Sequence, residues 1–182
     1  MKKVLIPVAP GFEEIETVTV VDVLRRAGAD VILAGTQSGE MRGSRRVKLT
    51  ADLTLDDLAN QDFDLLYLPG GQPGVDNLRK DDRVKEIVRK MSGRKKWIAA
   101  ICAAPLILKD AGLIKGLKLT SHPSIKDELK EAKYQEQRVV VDGNYITSRG
   151  PGTALELALK IVELLEGKDK AKGLADIMLA RA

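Results

Sequence analysis

The chain alternates short unbroken apolar runs with longer stretches in which apolar residues recur every three or four positions. Runs of the first kind read as strands and stretches of the second as amphipathic helices. Their alternation predicts an α/β fold, a flavodoxin-like three-layer sandwich with a mostly parallel central sheet and helices on both faces. Lys3–Val8 reads as a buried first strand, Glu13–Ala27 as a helix ended by Gly28, and Val31–Ala34 as the second strand. Gln37–Thr50 is polar and glycine-containing and predicts a hairpin ending in Val47–Thr50. A short helical turn near Leu55–Ala59 precedes a strand at Leu65–Leu68. Asp82–Ser92 places Val84, Ile87, Val88 and Met91 on one helical face, and Gly93 stops it. Trp97–Ile101 is the next central strand and runs straight into Cys102. Pro105–Ala111 follows as a helix with proline in its first turn. Leu117–Thr120 reads as a strand ending at Ser121-His122-Pro123, and Ile125–Leu129 as a short helix. Val139–Val141 and Tyr145–Thr147 flank Asp142-Gly143-Asn144, a tight-turn signal. Gly152–Leu165 and Lys170–Ala182 read as the last two helices. No repeat or linker divides residues 1–182, so one domain is expected.

Composition narrows the function. The 182 residues are 44% hydrophobic and 31% charged, the balance of a globular chain with a core of its own. No apolar run approaches the roughly 20 residues of a membrane-spanning helix. The net charge of +4 is spread over interspersed signs, and aromatic residues are only 3%, too few for base-stacking platforms, so nucleic acid is not the expected partner. Met1-Lys2-Lys3 opens like an export signal, but the apolar run ends at Pro7 and Glu13, Glu14 and Glu16 follow. A cytoplasmic location is expected, with the thiol kept reduced. One cysteine excludes an internal disulfide and a cysteine-rich zinc site. Neither a metal nor a cofactor is expected.

In open α/β sheets the ligand crevice lies at the carboxyl ends of the strands. Pro10-Gly11-Phe12-Glu13-Glu14-Ile15-Glu16 follows the first strand, Pro69-Gly70-Gly71 follows Leu68, and Cys102-Ala103-Ala104 follows Ile101. His122 and Ser148–Thr153 follow the last two. The only cysteine and the only histidine are therefore expected at one edge. Ala100-Ile101-Cys102-Ala103-Ala104 has the small-x-nucleophile-x-small form of a strand-to-helix elbow, with sulfur in place of oxygen. Its helix start favours a thiolate; a buried structural cysteine is the alternative. His122 could serve as acid or base, or be a hydrogen-bonded surface histidine. Glu16 shares a helix stripe with Val20 and Val23, so desolvation would raise its pKa and suit it to donate a proton. The other reading of Glu16 is a helix-start acid. Gly70-Gly71 could bring backbone N–H groups to an oxyanion or simply turn the chain. Ser148–Thr153 could bind an anion or cap the following helix. No Walker or G-x-G-x-x-G pattern supports a nucleotide site.

Four of these segments together carry a resemblance. Gly11-Phe12-Glu13-Glu14-Ile15-Glu16-Thr17-Val18, Leu68-Pro69-Gly70-Gly71, Ala99-Ala100-Ile101-Cys102-Ala103-Ala104-Pro105 and Thr147-Ser148-Arg149-Gly150-Pro151-Gly152-Thr153 resemble the ThiJ/PfpI superfamily, and within it the DJ-one/YajL-like branch. The resemblance covers nearly the whole chain in order. It implies a homodimer, an oxidation-sensitive nucleophile at Cys102 tuned by a protonated Glu16, and a neighbouring histidine at His122. Gly71 and Ala103 match backbone donors around the cysteine. Arg26, Arg45 and Pro151 match pocket-lining or dimer-adjacent positions. The implied activity is cofactor-free glyoxalase or deglycase chemistry on methylglyoxal-type 2-oxoaldehydes and glycated groups, in carbonyl and oxidative stress protection. The alternative is a redox sensor or redox-regulated chaperone that works through Cys102. Peptidase relatives carry a histidine directly after the cysteine; here that residue is Ala103, which argues against a peptidase triad. His122 is followed by Pro123-Ser124, so the His-x-Glu pair of the glutamine amidotransferases is not matched either.

Overall fold

The computed structural model describes residues 1–58 and 61–180. In chain order the elements are β1 (Lys3–Val8), α1 (Glu14–Arg26), β2 (Asp30–Gly35), β3 (Glu40–Arg42), β4 (Lys48–Thr50), β5 (Leu53–Thr54), β6 (Leu65–Leu68), α2 (Gln72–Lys80) and α3 (Asp82–Gly93). They continue with β7 (Trp97–Ile101), α4 (Pro105–Asp110), β8 (Lys118–Leu119), β9 (Lys133–Tyr134), β10 (Val139–Asp142), β11 (Tyr145–Ser148), α5 (Ala154–Glu166) and α6 (Lys168–Ile177). Among the described residues seven strands form the central sheet, in the order β10-β11-β7-β6-β1-β2-β5. Only β10 runs antiparallel to its neighbour; Asp142 faces Tyr145 across the turn expected at Asp142-Gly143-Asn144.

Strand alternation sends successive side chains to opposite faces. Val4, Ile6, Leu65, Tyr67, Ala99 and Ile101 join the residues of α1, α5 and α6 in one buried cluster. Leu5, Leu66, Leu68, Ile98 and Ala100 join those of α2, α3 and α4 in the other. Both faces of the sheet are thus covered, which is why its central strands read as continuous apolar runs.

The chain leaves β1 towards β2 on one side, and β6 leads to β7 on the other. The reversal falls between β1 and β6. At their carboxyl ends sit the loop entering α1 and the Pro69-Gly70-Gly71 turn, so these two segments meet at the switch point, the place where open α/β sheets bind ligands.

Several expectations are corrected. Gln72–Lys80 is a helix that the sequence reading left unassigned; Pro73 and Gly74 mask its periodicity, although proline suits a first helical turn. The strand read at Leu117–Thr120 shortens to Lys118–Leu119 and pairs with β9 outside the central sheet. Pro123–Leu129 is a 3-10 helix. Leu55–Asp57 is a 3-10 turn, and Ala59, included in that expected turn, lies outside the described residues. The last helix runs Lys168–Ile177, earlier than expected; residues 181 and 182 of the expected span lie outside the described residues. The hairpin of β3 and β4 is present, with Glu40 opposite Thr50. Among the described residues no helix is long and apolar enough to cross a membrane.

Candidate functional site

Cys102 follows β7 directly, in a left-handed conformation, φ 61°. For a residue with a side chain that strain costs about 1–3 kcal/mol and persists only where the surroundings enforce it. Here they do. The Cys102 N–H donates to the Ser148 carbonyl at 3.1 Å, and the Cys102 carbonyl accepts from the His122 N–H at 2.9 Å. The Ala104 N–H closes the turn on the Ile101 carbonyl at 2.9 Å. The thiol is left half-buried on the α1 face of the sheet, with the Gly71 and Ala103 N–H groups directed at its sulfur.

Glu16 reaches the same point from the first turn of α1 and is completely buried. Glu13 caps this helix, its Oε2 accepting from the Glu16 N–H at 2.7 Å. The Glu13 N–H donates to the Gly70 carbonyl at 2.9 Å, tying α1 to the end of β6. Oε2 of Glu16 accepts from the Gly70 N–H at 2.9 Å. Oε1 is buried with no hydrogen-bond partner among the described residues, and the Cys102 thiol lies beside the carboxyl group. Gly70 has no space for a side chain: a Cβ there would fall on Glu16 Oε2 and lie 2.6 Å from the Cys102 Cβ. Gly71 combines φ +88° with a would-be Cβ 2.5 Å from the Glu13 nitrogen.

Burial, and then the charge of Glu13, lifts the Glu16 carboxyl to about 8. Burial, and then a charge on Glu16, pushes the Cys102 thiol up to about 12. Burial therefore outweighs the helix start, and the thiol is not acidic by itself as the sequence suggested. The two groups lose protons as a pair. A charge on Glu16 makes the thiolate harder to form, so the second proton leaves at a higher pH than the first. When one proton is left, sulfur is the better seat for the negative charge. It has two backbone N–H donors and the solvent contact, whereas Glu16 has one backbone donor and no exposure.

The expected residues divide. Cys102, Glu16, Gly71 and Ala103 come together. Gly70 is present too, but its N–H serves Glu16 rather than a bound oxyanion. His122 adjoins Cys102 through the backbone bond above; its exposed ring accepts from the Ser124 N–H at Nδ1 and caps the following 3-10 helix. Pro151 opens the 3-10 turn before α5. The Arg149 and Gly150 N–H groups of that loop donate to Thr153 Oγ1 at 3.2 and 3.1 Å, which makes it a capping loop. Arg45 lies at the rim; its N–H donates to Glu14 at 2.6 Å and its charge acts on Glu13. Arg26 is not part of the site within its own chain, since it pairs with Asp22 at the far end of α1. Sequence reasoning missed Tyr67, whose hydroxyl donates to the Glu16 carbonyl at 3.0 Å. The signal was a hydroxyl inside the aliphatic run Leu65-Leu66-Tyr67-Leu68. Among the described residues no three His, Cys, Asp or Glu side chains gather as metal ligands would.

A strained thiol at a strand-to-helix elbow, backed by a buried carboxyl and two convergent amides, defines a cysteine site on a flavodoxin-like fold. The chain belongs to the DJ-1/PfpI family, whose family model matches residues 2–164. It is 46% identical over 175 residues to the Parkinson disease protein 7 homolog of Danio rerio, covering 93% of each chain. It is 38% identical over 164 residues to a Caenorhabditis elegans protein named glutathione-independent glyoxalase DJR-1.2, covering 89% of this chain and 87% of that one. The crystal structure of Drosophila melanogaster DJ-1beta superposes with a TM-score of 0.96 at 42% identity, over 100% of this chain and 99% of that one. Against two Arabidopsis thaliana relatives, DJ-1 homologs A and B, the chain spans less than half of their length, 44% and 41%.

Proposed function

We propose that this chain is a cofactor-independent, cysteine-dependent glyoxalase or deglycase acting on methylglyoxal-type 2-oxoaldehydes and their early adducts. One observation carries the reading: a fully buried carboxyl, with no hydrogen-bond partner at Oε1, set beside the only cysteine of the chain. The glyoxalase name of the Caenorhabditis elegans relative supports the same class.

The Cys102 thiolate adds to the aldehyde carbon, and the Glu16 carboxyl protonates the resulting alkoxide to a hemithioacetal. The N–H groups of Gly71 and Ala103 stabilise the oxyanion. Ionised Glu16 then removes the proton from the former aldehyde carbon and returns one to the neighbouring carbon through an enediol, leaving a thioester. Water releases the 2-hydroxy acid and restores the thiol. The sum is substrate plus water giving hydroxy acid, an internal redox change that needs no outside oxidant. A glycated lysine or arginine would enter by the same addition. Burial suits Glu16 to this double task, because a carboxyl lifted far above its ordinary range holds a proton near neutral pH and is a competent base once it has given that proton up.

Lactate release from methylglyoxal tests the reading. Wild type should exceed Cys102→Ser by at least about 100-fold, in line with losses on removing a nucleophile; equal rates would dismiss it. A second reading draws on the same donors, since two amides and a carboxyl hold a sulfinate as well as an oxyanion. In that case peroxide adds two oxygen atoms selectively at Cys102, read by intact mass, while lactate release stays at the Cys102→Ser level. Ile15 and Val18 on α1 and Val47 beside β4 are each more than half exposed. These apolar side chains support pairing of two copies, which light scattering tests; a monomer at all concentrations would refute it.

A further inference from the structure

Strand β6 and the turn after it hold Glu16 twice. The Gly70 N–H takes Oε2 of the carboxyl at 2.9 Å. Three residues earlier, the Tyr67 hydroxyl takes the backbone carbonyl of the same residue at 3.0 Å. Alternation along β6 turns Tyr67 to the α1 face, where it is fully buried. The Glu16 carbonyl belongs to the first turn of α1, where the helix ladder already supplies a donor from four residues on. The helix does not need a second one. A buried hydroxyl in an aliphatic strand is costly unless bonded, and a leucine would fill the same layer without that demand.

We propose that Tyr67 is a positioning residue: its hydroxyl, together with the Gly70 amide, fixes the first turn of α1 on β6 so that the Glu16 carboxyl stays beside the Cys102 sulfur. The inference rests on the reading of Glu16 as proton partner of the thiol. One anchor is on the backbone and the other on the carboxyl, so between them they set the direction of the side chain. Without the Tyr67 hydroxyl, the bonds that remain between this turn and the end of β6 are the two at Gly70, whose carbonyl accepts from the Glu13 N–H and whose N–H donates to the carboxyl, and the turn can rock about that one residue and carry the carboxyl off the sulfur.

Cys102 is the only cysteine, so the rate of alkylation by iodoacetamide reports one thiol. The titratable groups that act on it are Glu16 from α1 and Tyr67 from β6, with Glu13 acting on both of those and Arg45 acting on Glu13 from the β3–β4 connection. Tyr67→Phe keeps the ring and removes only the hydroxyl. Alkylation at pH 7 should slow about three- to tenfold, the factor to which the net worth of one hydrogen bond converts. The midpoint of the rate–pH profile should move up, towards that of Glu16→Gln. Tyr145→Phe loses a hydroxyl bonded to Ser92 at 2.8 Å, at the opposite end of the sheet, and should leave the profile in place. A Tyr67→Phe profile that superimposes on wild type while Glu16→Gln is displaced overturns the positioning role and leaves the Glu16 reading standing. Equal slowing in Tyr67→Phe and Tyr145→Phe also overturns it, as general loosening. If both Tyr67→Phe and Glu16→Gln superimpose on wild type, the coupling of Glu16 to the thiol falls, and the positioning role with it.

Discussion

Glu14 and Glu16 leave α1 two residues apart and are 8% and 0% exposed, yet their surroundings differ in kind. Two residues along a helix turn the side chain by about 200°, so one carboxyl faces the β3–β4 connection and the other the rim of the sheet. Glu14 meets donors on both oxygens. Oε1 accepts from the Arg45 and Val47 N–H groups at 2.6 and 3.3 Å, and Oε2 from the Ser44 hydroxyl at 3.1 Å. Glu16 has the Gly70 amide on one oxygen and no hydrogen-bond partner on the other, with the thiol beside the carboxyl. A buried carboxylate with a full set of donors organises a loop; one short of donors keeps its proton and becomes a reagent. Burial does not separate the two roles. The donor count does.

The largest expected effect breaks the comparison at Glu16. Its folded-state pKa, about 8, lies above the ordinary 4.5. The folded chain therefore holds a proton that the unfolded chain releases above pH 4.5. The contribution of this group is fully present below that value and is lost as pH rises towards 8. Glutamine does not titrate, so Glu16→Gln should match wild type near pH 4.5 and gain about 3–4 kcal/mol on it by pH 8. Urea midpoints of both proteins across that range decide it, and a gap that stays flat with pH would contradict a proton held at Glu16.

Glu14 should respond in the opposite sense. Removing it leaves the Arg45 and Val47 N–H groups without their acceptor and frees the connection it pins. Glu14→Ala should cost about 2 kcal/mol, the worth of hydrogen bonds to a charged group. Glu14→Gln should recover most of this, because an amide oxygen can take both N–H groups while its NH2 faces Ser44. Thermal or urea unfolding of the two variants measures the order, and a glutamine as damaging as alanine would mean that charge, not donor pairing, matters there.

The sheet and its rim were largely legible in the sequence, and the contrast between the two carboxylates was not. Strands buried on both faces announce themselves as apolar runs. The small residues around Cys102 and the Gly70-Gly71 pair mark places where backbone must approach closely. The stripe of Glu16 with Val20 and Val23 correctly predicted its burial. Three things required the fold. The helix Gln72–Lys80 hid behind Pro73 and Gly74. The Gly70 N–H could be assigned to Glu16 only once α1 and β6 were placed side by side. The thiol was expected to be acidic from its helix start, but α4 spans only six residues, and burial plus a neighbouring carboxyl outweigh it. Local pattern reports what a residue is and which face it takes; how many donors converge on it depends on partners distant in sequence.

The smallest expected effect concerns the far end of the same helix. Arg26 resembles a pocket or dimer-adjacent position of the family, but in its own chain it bonds Asp22 at 2.9 Å with about half of each side chain exposed. Ten residues separate it from Glu16, about 15 Å along the axis. An exposed i,i+4 pair is worth no more than about 0.5 kcal/mol, so Arg26→Ala should leave unfolding almost unchanged. Nothing in the single chain connects it to the sulfur, and the alkylation profile of Cys102 should not move either. If that profile shifts while stability holds, the guanidinium acts on a thiol it cannot reach within its own chain, and the thiol concerned is that of a second copy. Diluting the protein until copies separate should then erase the shift, which makes this surface arginine a probe of whether the rim of the sheet is complete in one chain or finished by another.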